Sequence, residues 1–151
     1  MRVTEVMTKP AITVQPETSV QAVAALLLES HVRAVAVVDG KGKLQGIVSE
    51  SDLLVRNAKL HFPTYLGILD TLLPVGGDRN LEDELRKVLA VTAGEVMTAD
   101  VFTARPGDDL GEVIHDMLQR RIHAVPVVRD GRVEGMLYPT DVLRLIVGSV
   151  S

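Results

Sequence analysis

The sequence predicts a mixed α/β (α+β) fold built twice over. It consists of two β-α-β-β-α repeats packed sheet to sheet as one pseudo-two-fold module, with extra helices in the segment between them. Three observations carry this reading. The motif Val-Met-Thr stands at 6–8 and again at 96–98, an offset of 90 positions that holds from Val6 to Asp39 and becomes 89 through Leu54 once one residue is dropped in a turn. Both copies pass through the same order of hydrophobic periods, first helical, then alternating, then helical again. A sheet of so few strands also has a face that its own helices cannot cover, and the other copy is the obvious cover.

Each unit starts with an extended piece that ends at Pro16 or Pro106. The stretches TSVQAVAALLLES and DDLGEVIHDMLQR follow, with helix-start residues ahead of apolar positions at helical spacing: Val20, Val23, Ala24 and Leu27 in one, Leu110, Val113, Ile114 and Met117 in the other. Next come AVAVVDGKGKLQGIVS and AVPVVRDGRVEGMLY, two β-branched runs around Asp/Gly-rich turns, which is a hairpin signal. The single deletion falls in that turn, where a hairpin absorbs it. Finally SESDLLVRN and PTDVLRLIV place Ser, Thr and Asp where they cap a helix. The division along the chain is 1–60 for the first repeat, 61–92 for a helical inter-repeat segment and 93–151 for the second repeat, the two repeats forming one structural domain. In the middle segment Asn80 reads as the cap of an amphipathic helix, and Leu66 to Leu73 offer apolar surface for a dimer contact or a lid.

A chain of 151 residues supports one sizeable core, or two halves that share one, but not two independent enzymes. With 46% hydrophobic and 24% charged residues the balance is that of a soluble globular protein, and two Phe, two Tyr and no Trp make the core aliphatic. A formal charge of -4 gives no general attraction for a nucleic-acid backbone. Without cysteine there is no disulfide framework, thiol nucleophile or thiolate metal site. The first residues carry no signal-peptide core, and no apolar run approaches the roughly 18 residues of a membrane span. A cytoplasmic protein without membrane contact is therefore expected. The sequence shows no serine-elbow, P-loop or HExxH pattern, and its histidines His31, His61 and His115 form no metal-ligand spacing, so neither an enzyme nor a metal site is expected.

The repeated VMT, the Thr-x-x-Pro of TVQP and TARP, the AVPVV-type strand and the endings GIVSESDLL and GMLYPTDVL resemble, in order and spacing, the cystathionine β-synthase (CBS) domain family in its tandem arrangement, the Bateman module. The resemblance covers nearly the whole chain outside about Val55 to Thr92. It implies a non-enzymatic regulatory module whose two clefts between repeats hold an adenosine-containing ligand. AMP, ADP or ATP stand ahead of NAD or S-adenosylmethionine. It further implies a homodimer and a separate protein partner to which the sensor speaks. The alternative is an interaction or structural module with no nucleotide ligand.

Carried onto this sequence, the family pattern makes Asp52 and Asp141 the acceptors for ribose hydroxyls. Read without a ligand, each is a first-turn helix carboxylate worth about 0.3–1 kcal/mol. Ser49 and Ser51, with Tyr138 and Thr140 in the second copy, stand where a phosphate meets a helix N-terminus, or where they cap it. Tyr138 departs from the usual small hydroxyl, so weaker binding or none is expected in the second cleft. Arg33 and His123, aligned before their strands, would supply positive charge. The family meets adenine near Ile12-Thr13 and Phe102-Thr103, and Pro126 holds a strand edge open. Met7 and Met97 read as core filler.

Overall fold

A computed structural model describes residues 1–54 and 91–150 of the chain. The helices expected between the repeats, with the Asn80 cap and the Leu66 to Leu73 stretch, lie outside the described residues. After a short 3-10 turn at Val3–Glu5, the first repeat runs β1 (Thr13–Val14), α1 (Val20–Ser30), β2 (Ala34–Val38), β3 (Leu44–Ser49) and a helical stretch at 50–54. The second runs α2 (Ala93–Val96), α3 (Leu110–Arg120), β4 (Val125–Arg129), β5 (Arg132–Leu137) and α4 (Pro139–Val150).

The two long repeat helices form for the same local reasons. Ser19 caps α1 by accepting the Ala22 amide at 3.1 Å, and Asp109 caps α3 by accepting that of Glu112 at 3.1 Å. Both helices end on a left-handed residue that is not glycine, His31 and Arg121, each with φ of 55°. Val23 and Leu27 of α1, like Leu110, Val113 and Met117 of α3, are buried against their own sheets.

β1 pairs parallel to β2 with Thr13 opposite Ala36, and β2 pairs antiparallel to β3 with Ala34 opposite Ser49. In the second repeat β4 and β5 pair with Val125 opposite Leu137, and the counterpart of β1 shrinks to one bridge, Ala104 to Val127. The hairpin turns differ as the offset change requires. Asp130-Gly131, both at positive φ, make the tight turn after β4, whereas the longer turn after β2 is closed by Asp39 Oδ1, which accepts the amides of Lys41 and Lys43 at 2.8 and 3.0 Å. Those two N–H donors hold the Asp39 carboxyl below its usual range.

The repeats share a layer of small and medium apolar side chains, Ala34, Ala36 and Val38 from β2 against Ala124, Met136 and Tyr138. Their hairpin ends are tied by Leu44 N–H to Gly131 O and Val133 N–H to Gly42 O, both 3.0 Å. Among the described residues no helix is long and apolar enough to cross a membrane.

The division read from the chain follows the sequence but not the packing. Residues 1–8 leave their own repeat: the Val3 and Thr4 amides bond to Asp108 and Pro106 carbonyls at 3.0 Å, and Thr8 bridges to Met136 of β5. Reciprocally, the Ala93 and Gly94 amides bond to Thr18 and Pro16 carbonyls at 2.7 and 2.9 Å, and Thr98 bridges to Ile47 of β3. Each Val-Met-Thr motif thus completes the other repeat. Met7 is buried in the second repeat's core and Met97 packs on the first's, as filler. This explains the matched pair Gly46 and Gly135: a Cβ on Gly46 would lie 2.7 Å from both Met97 Sδ and the Thr98 carbonyl oxygen, and one on Gly135 would lie 2.7 Å from Met7 Sδ and 2.8 Å from the Thr8 carbonyl oxygen.

Candidate functional site

Where β3 ends, a cleft of about 320 Å³ opens between the two repeats. Ala34, Ile47 and Ala124 form its apolar floor, Val101 and Phe102 its wall, and Asp52 stands at its polar end. The guanidinium of Arg120 lies 4.5 Å from the centroid of the Phe102 ring, a cation–π contact that fixes the ring's attitude.

Asp52 is held by a reciprocal cap. Its Oδ2 accepts the Ser49 amide at 2.8 Å and the Ser49 hydroxyl at 3.0 Å, while its own amide donates to Ser49 Oγ at 3.2 Å. Its other oxygen, Oδ1, receives no hydrogen bond from the described residues, and the carboxylate is half-buried. Ser49 is therefore a capping residue, as the ligand-free reading of its position had it, and Ser51 is exposed on the cleft rim. Arg33 faces the cleft but its Nε donates to Glu50 Oε1 at 2.8 Å, an exposed pair. His123 lines the opposite rim, beside Arg121.

The cleft thus brings together Arg33, Ser49, Ser51, Asp52, Phe102 and His123 of the residues named from sequence. The others stand apart from it. Thr13 is committed to the β1–β2 ladder, Ile12 packs against the first repeat's core, and Thr103 is exposed beside the Ala104 bridge. Pro126 is fully buried within β4, where its carbonyl accepts the Ala104 amide at 3.0 Å, so it opens no edge toward this cleft. Sequence reading missed Arg121, Thr98 and Asp100. Arg121 carried a signal: it is the residue just past an amphipathic helix, where a left-handed backbone turns the chain back over the sheet.

The matching position in the other repeat is built differently. Asp141 is 4% exposed; its Oδ2 accepts the Tyr138 amide at 2.8 Å, and its Oδ1 accepts Thr8 Oγ1 at 2.7 Å and Arg144 Nη1 at 2.8 Å. Both oxygens are used within the protein. This corrects the expectation that losing either Asp costs only a helix-dipole contribution. Tyr138 is 3% exposed and its hydroxyl donates to the Ala34 carbonyl at 2.9 Å. Burial first, and the Asp141 charge second, push its phenol well above the usual tyrosine range. Thr140 is exposed at the start of α4. Among the described residues no group of three or more His, Asp or Glu is placed to hold a metal ion.

The CBS domain family matches the chain twice, over residues 3–58 and 93–148, the two halves of the observed pseudo-symmetry. The chain belongs to the CBS domain family. The CBS domain of a CBS domain-containing membrane protein from Sphaerobacter thermophilus is 32% identical and superposes with a TM-score of 0.70, covering 96% of this chain and 87% of that one. CBSX2 in complex with AMP is 25% identical with a TM-score of 0.73 over 99% and 98% of the two chains. Its chloroplastic namesake from Arabidopsis thaliana is 28% identical over 140 residues, 87% of this chain and 56% of that one. The CBS domain pair of MJ0100, in complex with 5′-methylthioadenosine and S-adenosyl-L-methionine, is 25% identical with a TM-score of 0.72 over 99% and 98%. Among curated relatives the chain spans 92% of the length of MJ1426 and 23% of that of L-aspartate semialdehyde sulfurtransferase, both from Methanocaldococcus jannaschii.

Proposed function

We propose that this CBS pair is a non-enzymatic regulatory module that binds an adenosine-containing ligand in the Asp52 cleft and passes its occupancy to a separate protein partner. The observation that carries the reading is the Asp52 oxygen that no described residue engages, at one end of an apolar slot. A ribose has two adjacent hydroxyls that need such an acceptor, and a base needs the flat apolar space between Ile47, Val101 and Phe102. Arg121 and His123 on the rim favour a phosphate over a sulfonium cation, which ranks AMP, ADP or ATP ahead of S-adenosylmethionine. NAD, also a phosphate ester, ranks lower because its second nucleoside is large for a cleft of about 320 Å³. The adenosyl ligands held by the CBSX2 and MJ0100 structures support the class. The module acts as a homodimer, a reading supported by the apolar side chains Leu143 and Val147 that α4 leaves exposed.

Calorimetric titration with AMP, ADP, ATP and S-adenosylmethionine tests the reading, with Asp52→Ala as the control. Binding to the parent chain that falls tenfold or more in the variant supports it. Silence across all four ligands returns the module to the interaction-only alternative.

A further inference from the structure

We propose that Tyr138 is a built-in occupant of the second cleft, so that the module takes one adenosyl ligand per chain and Asp141 serves structure instead of ligand. The inference rests on the Asp52 cleft being the nucleotide site, and it concerns what the twin cleft has become. The repeat offset sets Ser49 opposite Tyr138, Ile47 opposite Met136 and Val101 opposite Ala11. In the open cleft Ile47, Val101, Ala34 and Ala124 line space that the short Ser49 leaves empty. In the second repeat the Tyr138 side chain belongs to one cluster with Met136, Ala11, Ala34 and Ala124, the counterparts of that same lining. The ring therefore fills the slot a base would need.

The polar end of the slot is closed with it. Thr8, the counterpart of Thr98, donates to Asp141 Oδ1, Arg144 from the same helix takes the same oxygen and the Tyr138 amide holds Oδ2, so both oxygens are engaged within the protein, whereas Asp52 has one that no described residue engages. The hydroxyl of Tyr138 completes the closure by reaching the Ala34 carbonyl across the interface. Ala34 also lines the open cleft, so the group that plugs one cleft is anchored on the floor of the other.

Titrating AMP by calorimetry into the full chain, Tyr138→Ser, Tyr138→Ser with Asp141→Ala, and Ser49→Tyr tests this. The expected result is one AMP per chain for the parent, two for Tyr138→Ser, one again for the double variant, and at least tenfold weaker binding for Ser49→Tyr, which copies the plug into the open cleft. Two sites in the parent overturn the proposal, as does a cooperatively melting Tyr138→Ser that still binds one. Should the parent bind none while Tyr138→Ser binds one and loses it with Asp141→Ala, the plug stands and the Asp52 reading falls. If neither binds AMP and both melt cooperatively, both fall. Where Tyr138→Ser does not fold, Ser49→Tyr decides when set against Ser49→Ala, which loses the same hydroxyl bonds to Asp52 without adding a ring: tighter AMP binding by Ser49→Ala supports the plug, and equal affinity in the two rejects it.

Discussion

The hydroxyl of Tyr138 donates a 2.9 Å hydrogen bond to the carbonyl oxygen of Ala34, a side-chain tie between the cores of the two repeats. Ionising the phenol would bury a negative charge away from water and set it beside Asp141, and burial first, then that charge, raise its folded-state pKa. A pKa raised above the unfolded value, near 10 for tyrosine, means stability that is fully present below about pH 10 and is lost as pH climbs from there. Melting curves above pH 10 should therefore fall more steeply for the parent than for Tyr138→Phe. At neutral pH the same variant should be the less stable, by about 1–3 kcal/mol, because the Ala34 carbonyl is left unpaired. Parallel alkaline slopes would remove Tyr138 from the account.

Gly46 and Gly135 face sulfur and backbone oxygen at distances no Cβ tolerates. Alanine at either should destabilise by about 1–3 kcal/mol in urea unfolding, whereas Gly40→Ala, with nothing within 4 Å, should stay close to neutral. Truncating Met97 should not rescue Gly46→Ala, since the Thr98 carbonyl remains in the way. A full rescue would show the side chain to be the only obstacle.

The two aspartates should part company in unfolding experiments. Asp141→Ala strands the buried Tyr138 amide, at about 1–3 kcal/mol for such a group, and also frees Thr8 and Arg144. Asp52→Ala, half-buried and capping, should lose about 1 kcal/mol of cap energy together with its ligand affinity. Equal stability losses in the two variants would contradict the difference in burial.

Leu28 and Leu118 are exposed at matching places in α1 and α3, and Leu54 and Leu143 at matching places in the final helices. Repetition of the same exposed side chains in both copies fits a two-fold partner better than accident. Light scattering at micromolar concentration should give twice the chain mass of 16.3 kDa, and Leu143→Glu with Val147→Glu should return the monomer. A parent that already runs as a monomer ends the dimer reading.

Much of the fold was legible because repetition doubled every signal. The caps Ser19 and Asp109, the helix spacing and the hairpin turns are local, and local chemistry is written in neighbouring residues. The exchange of the Val-Met-Thr segments was not legible, because nothing near Met7 says which sheet it will join. Site residues split along the same line. Ser49, Asp52 and His123 lie in or next to their strands and line the cleft as their positions along the chain suggest, while Thr98 and Asp100 reach it only through that exchange. Tyr138 was visible as a departure, but only packing shows its ring buried with Met136, Ala34 and Ala124 between the repeats.

The exchanged segments also set an order of events for a chain made from its N-terminus. Thr8 bonds to Asp141, 133 residues away, and Met7 has no core to enter until β5 exists. Residues 3–8 are made well before the β5 they pack on, and the first repeat waits in turn for residues 93–98, so neither repeat finishes folding until both are made. The fold closes only when Thr8 reaches Asp141.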